Sequence, residues 1–280
     1  MSAADGTVAA PVKVIDNGPE ESRWDLVIMG DGYRAFELLK FHDDVEQFCS
    51  EVLKSTPPYD ELWPAINVHR IDVTSTDSGA DLPRECGGTG PPRRTFLDAI
   101  FCTPPWHIDR LLTVDNALAA QVAKAVPFRN VILVLVNAEG RGGSGDPGVA
   151  VSSNAWAWDI ALHELGHSAF NLADEYENDE SGGPEPKEPN VTRNTNRATN
   201  KWKDLVRATT PMPSACNADC PRCRPPAHPT APDAVGTYEG ARYQRCGTYR
   251  PFPDCYMRSN HTFCPVCVRV IRRTLEPLMP

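Results

Sequence analysis

The chain has 280 residues, 41% hydrophobic and 23% charged, ordinary proportions for a globular protein long enough to bury a proper core. A formal net charge of −9 argues against a broad nucleic-acid surface, which needs a basic face. No run of eighteen apolar residues occurs, so no segment reads as a membrane-spanning helix.

Residues 1–20 lack a basic start followed by an apolar core and read as a flexible tail, not as a secretion signal. On that reading the cytoplasm is slightly favoured, and secretion follows instead if the cysteines are disulfide-bonded. "WDLVIMGDGY" (24–33) is a short apolar run closing on Gly and Asp, the pattern of a buried strand entering a turn. From Ala35 to Leu53 apolar residues recur at helical spacing, and "INVHRIDVTS" (66–75) alternates as a strand does, with one slip of phase. Residues 76–110, rich in Gly, Pro and Cys, read as a long surface excursion. A second helix is expected over Asp115–Ala125, followed by strands at "NVILVLVN" (130–137) and "VAVSS" (149–153). The loop "EGRGGSGDPG" between those strands lacks the Gly-Lys-Ser/Thr ending of a phosphate cradle. From Asn178 to Pro232 the chain is irregular and rich in Pro, Asn and Cys, and a last helix is expected over Val266–Leu275.

Ten cysteines are many for a cytoplasmic protein, and the even number allows five disulfides. The pairs "CPRC" and "CPVC" offer the rival reading, a structural zinc held by Cys220, Cys223, Cys264 and Cys267. Composition does not choose between them.

The stretch "HELGHSAFNLADEY" (163–176) carries the chemistry. Residues four apart share one helix face, so His163 and His167 can turn both imidazoles to one ion. Glu164 lies about 100° round the helix, free to act as general base on a metal-activated water. A continuous helix would carry Asp174 about 10 Å beyond His167. If Asn171, a residue suited to the left-handed conformation, ends the helix, Asp174 comes back within reach as third ligand. Glu175 is the competing candidate.

"HELGHSAFNLAD" resembles the elongated zinc motif of metzincin peptidases, with Asn171 in place of the turn glycine, one extra residue before it, and Asp in place of the third His. Those departures, with "LADEY", resemble the IgA-peptidase family of zinc metallopeptidases. The likeness extends to "DLVIMGDGY", "NVHRIDVTSTDSGAD" and "YRPFPDCYMRSNHTFCPVC". It implies that Met257 is the methionine of a turn beneath the metal, that one zinc is catalytic, and that a tyrosine (Tyr243, Tyr249 or Tyr256) assists. It also implies that an extended peptide adds to "VAVSS" as an edge strand.

The expected architecture is therefore α/β (α+β): a metzincin-like domain over residues 21–280, with a twisted mixed sheet and site helix in 21–176 and a loop-rich, Cys-rich part in 177–280. The expected function is a zinc-dependent endopeptidase acting on protein or peptide substrates. The alternatives are a zinc amidase or deacylase on a non-protein amide, and a non-catalytic metal-stabilised binding module. The acidic residues of 174–188 read as a solvated loop, with calcium binding or basic substrates as the rival roles. Asn190 and Asn260 lie in N-x-Thr sequons.

Overall fold

A computed structural model describes residues 5–145, 148–154, 157–228, 230–259 and 262–280, without the side chains of 179–181. The sequon at Asn260 and the loop residues Asp146 and Pro147 lie outside the described residues. The chain divides into two compact units, Met1–Ala169 with Leu275–Pro280, and Phe170–Thr274.

The first unit is a mixed α/β layer. Its strands are β1 (Gly6–Val8), β2 (Val12–Ile15), β3 (Trp24–Asp31), β4 (Ile66–Ile71), β5 (Val73–Ser75), β6 (Ile100–Phe101), β7 (Leu112–Thr113), β8 (Arg129–Val136), β9 (Gly143–Ser144) and β10 (Val149–Ser152). Six of them form one sheet in the order β2-β4-β3-β8-β10-β9. The inner pairs β4–β3, β3–β8 and β8–β10 are parallel, while β2 and β9 run antiparallel at the rims. All eight residues of β3 are buried, which is why it reads as a continuous apolar run and not as an alternation. The slip of phase in 66–75 falls at Asp72, where β4 leaves the large sheet and β5 pairs instead with β1.

The expectation of a loose tail over 1–20 is corrected here, because β1 and β2 both lie within it. "VAVSS" is not a free edge either: β10 is flanked by β8 and by the short β9, with Ala150 opposite Ser144 and Val151 opposite Gly143.

Helices α1 (Leu38–Gln47), α2 (Tyr59–Leu62), α3 (Asn116–Val122) and α4 (Trp158–Phe170) complete the unit, α4 up to Ala169. The helical pattern of 35–53 resolves into α1 followed by a wider π-type turn over Phe48–Leu53. Asp115 caps α3 by accepting from the Leu118 amide at 2.9 Å.

Asp31 organises the excursion after β5. Its buried carboxylate accepts from the Leu97 amide at 2.9 Å, the Ala99 amide at 3.1 Å and Ser75 Oγ at 3.1 Å. Gly32 follows with φ +70°, and a Cβ there would overlap the Gly79 carbonyl, so this turn requires glycine. A Cys86–Cys102 disulfide closes the excursion.

The second unit is loop-rich. It holds β11 (Glu177–Ser181), β12 (Tyr238–Ala241) and β13 (Tyr243–Arg250), in the order β11-β13-β12. It also holds α5 (Tyr256–Ser259) and α6 (Pro265–Leu275) as far as Thr274. Trp202 is fully buried in the irregular stretch and donates Nε1–H to the Gly236 carbonyl at 2.7 Å. The Cys220–Cys246 disulfide ties the same stretch to β13, and Cys216–Cys223 closes a short loop within it.

Neither cysteine expectation holds whole. Cys220 and Cys223 are spent in disulfides with other partners, so the four-thiolate set with Cys264 and Cys267 is not formed. Three disulfides occur among the described residues instead of five, and Cys49, Cys255, Cys264 and Cys267 are free.

Candidate metal centre

In the first unit the candidate residues sit on α4. Ala161, Leu162 and Leu165 are buried, and this apolar stripe fixes how the helix is rotated. The 163/167 spacing then sets two imidazoles side by side. His163 Nε2 and His167 Nε2 lie 3.1 Å apart, with the rings edge to face at 80°. Two nitrogens ligating one tetrahedral zinc at about 2.0–2.1 Å stand roughly 3.3 Å apart, so the pair as it stands fits a shared ion.

Glu164 is the next residue on the helix, and the loop before β10 shapes its surroundings. A Cβ placed on Gly145 would lie 2.5 Å from Glu164 Oε2 and 3.3 Å from Glu164 Cβ. The carboxylate therefore packs over the bare backbone of Gly145. In the sequence this contact shows as no more than a glycine-rich loop one strand ahead of the site helix.

In the second unit the candidate residues follow the helix end. α4 stops at Phe170, and Asn171 takes φ +52°, the left-handed conformation that terminates helices. Asp174 is buried, and its Oδ2 accepts from the Tyr243 hydroxyl. The backbone carbonyls of Asp174 and Tyr176 accept from the Arg242 and Tyr243 amides at 2.9 and 3.1 Å. Arg242 and Tyr243 form the two-residue turn between β12 and β13, with φ +52° and +63°. Such a turn needs positive φ at both positions and normally takes Asn or Gly. Here a bulky tyrosine holds the strained conformation, which aims its hydroxyl at Asp174. Burial, then the Asp174 charge, pushes the Tyr243 hydroxyl far above its ordinary pKa, so it stays a donor.

Glu175 faces elsewhere. Its carboxyl is fully buried, accepts from Asn190 Nδ2 at 2.9 Å, and lies 3.4 Å from Cys267 Sγ. Burial raises this carboxyl well above the usual carboxylate range. Asn190 also brackets Ala173, donating to its carbonyl and accepting from its amide, both at 2.8 Å. Asn190 is wholly buried, so its sequon is not a surface acceptor.

Met257 is buried in α5, where its carbonyl accepts from the Glu175 amide at 2.7 Å. Of the other tyrosines, Tyr256 stacks on Phe263 at 4.7 Å and Tyr249 bonds Glu239. The acidic run is largely paired and not merely solvated: Glu177 with Arg258 at 2.7 Å, Glu188 with Arg242 at 2.9 Å, and Glu185 with Lys201 at 3.3 Å. No helix among the described residues is long and apolar enough to cross a membrane.

A family model described as IgA Peptidase M64 matches residues 12–221 and 227–275. No curated protein matches the chain.

Proposed function

The chain belongs to the IgA peptidase M64 family, a family of metallopeptidases, and from that premise we propose that it is a zinc-dependent endopeptidase with His163, His167 and Asp174 as metal ligands and Glu164 as general base. The observation that carries the reading is the 3.1 Å separation of the two Nε2 atoms. An imidazole pair so close shares either a proton or an ion, and the glutamate after the first histidine gives a catalytic ion its base.

Asp174 is preferred to Glu175 because the Glu175 carboxyl is committed to Asn190 and to the cysteines. The Tyr243 hydroxyl donates to Oδ2 of Asp174, the way a neighbouring donor orients a ligating carboxylate. Tyr243 is thus a positioning residue rather than an oxyanion donor.

Zinc held there supplies a Lewis acid that acidifies water and polarises the scissile carbonyl. Glu164 accepts the proton of the attacking water and returns it to the leaving amine nitrogen. The bare backbone of Gly145 leaves room for the Glu164 carboxylate. Met257 is assigned to the metzincin-like turn by family likeness. The three disulfides favour an oxidising compartment, against the cytoplasmic expectation.

The test is digestion of a mixed peptide library by wild type and Glu164→Gln at equal zinc content. Peptide cleavage by wild type and its loss in the variant are expected. Cleavage that persists in Glu164→Gln removes Glu164 from the mechanism. A wild type that hydrolyses only small non-peptide amides favours the amidase reading.

A further inference from the structure

We propose that the second unit carries its own thiolate-rich zinc site, made by Cys255, Cys264, Cys267 and Glu175, which anchors the chain just after Asp174 to the start of α6. This site is independent of the histidine pair.

Geometry carries the proposal. The donor atoms of these four buried residues all lie within 4.8 Å of one another. Cys255 Sγ and Cys267 Sγ are 3.6 Å apart, and Glu175 Oε1 lies 3.4 Å from Cys267 Sγ and 3.9 Å from Cys264 Sγ. Around a tetrahedral zinc with Zn–S near 2.3 Å and Zn–O near 2.1 Å, sulfur pairs stand about 3.8 Å apart and sulfur–oxygen pairs about 3.6 Å. These three separations match the edges of such a tetrahedron to within about 0.3 Å, and the other donor pairs lie within 4.8 Å.

Three further observations point to an ion and not to packing. Glu175 Oε2 is buried without a hydrogen-bond partner, a costly arrangement for a carboxyl group unless a cation answers it. The six cysteines at 86, 102, 216, 220, 223 and 246 are bonded in pairs, whereas these three remain free and converge on the carboxyl. A disulfide would use two of them and strand both the third thiol and the glutamate.

The surroundings suit thiolates. The Cys264 amide donates to Cys255 Sγ at 3.3 Å. Cys264 directly precedes α6 and Cys267 lies in its first turn, where the helix dipole favours negative charge. Arg258 Nη1 donates to the Glu175 carbonyl at 3.0 Å, adding positive charge beside a set of ligands more negative than one Zn²⁺ neutralises. Because Glu175 follows Asp174 directly, an ion here fixes the loop that bears the other site's carboxylate.

The experiment measures zinc per chain in full-length wild type and in His163→Ala/His167→Ala, which leaves every cysteine in place. Two zinc ions and one zinc ion, respectively, are expected. Exchange into Co²⁺ should give sulfur-to-cobalt charge-transfer absorption in both proteins, since imidazole and carboxylate ligands do not produce it. Alkylation in denaturant with chelator should label Cys49, Cys255, Cys264 and Cys267. A double-histidine variant that binds no metal, absence of the charge-transfer band, or a disulfide between any two of the three cysteines overturns the proposal. If wild type holds one zinc that persists with its cobalt–sulfur band in the double-histidine variant, the thiolate site stands and the histidine site fails.

Discussion

Substituting Gly145→Ala tests the proposed general base, Glu164, apart from the rest of the site. The added methyl would lie 2.5 Å from Glu164 Oε2, whereas ordinary contact lies near 3.5 Å. The carboxylate must therefore retreat by about 1 Å. A shift of that size in a catalytic group costs about 100-fold in rate, or about 2.7 kcal/mol of transition-state stabilisation. Gly145 is not among the glycines with positive φ, so alanine adds no backbone strain there and should leave stability unchanged or raise it by about 0.4–1 kcal/mol. Steady-state peptide hydrolysis, zinc content and thermal denaturation of the same preparation read the three effects. The expected result is kcat down about 100-fold with KM, zinc and Tm retained. Unchanged kcat would show that Glu164 does not need its present position, and a loss of zinc or of folding would show that Gly145 acts on something other than the base.

Further outcomes follow from other contacts. Tyr243→Phe removes the hydroxyl donated to Asp174 and should weaken zinc binding about 10–100-fold in a chelator competition, with the fold intact. Cys220→Ser/Cys246→Ser opens a loop of sequence separation 26 and should cost about 3.5 kcal/mol in denaturant unfolding on loop-entropy grounds. Burial acts to raise the Glu177 carboxyl, but the Arg258 bond and charge outweigh it and hold the pKa below the ordinary glutamate value. A depressed folded-state pKa gives stability that is present above the unfolded value and lost as pH falls through the folded one. Wild type should therefore lose more stability than Glu177→Gln between pH 6 and pH 3, by less than about 1 kcal/mol because the pair is partly exposed.

The sequence made the inner sheet readable because β3 and β8 are buried along most of their length and so appear as apolar runs. It hid β1 and β2, which are three and four residues long and carry the exposed Val8 and Val12, leaving too little alternation to stand out from a tail. The helix stop at Asn171 was legible because the side chain itself favours that backbone. The turn at Arg242-Tyr243 was not, since neither residue type announces positive φ. Cysteine pairing was opaque for a different reason. Cys220 and Cys223 look like one knuckle in sequence, yet folding sends one to Cys246 and the other to Cys216. Only the fold shows that "CPVC" joins Cys255 and Glu175.

The most direct test of the catalytic assignment is an anomalous difference map at the zinc edge from crystals of the zinc-loaded protein. The expected result is a peak about 2.0–2.2 Å from His163 Nε2, His167 Nε2 and one oxygen of Asp174. A peak on the two imidazoles with the Asp174 carboxylate turned away, or no peak there in a zinc-saturated crystal, would contradict it.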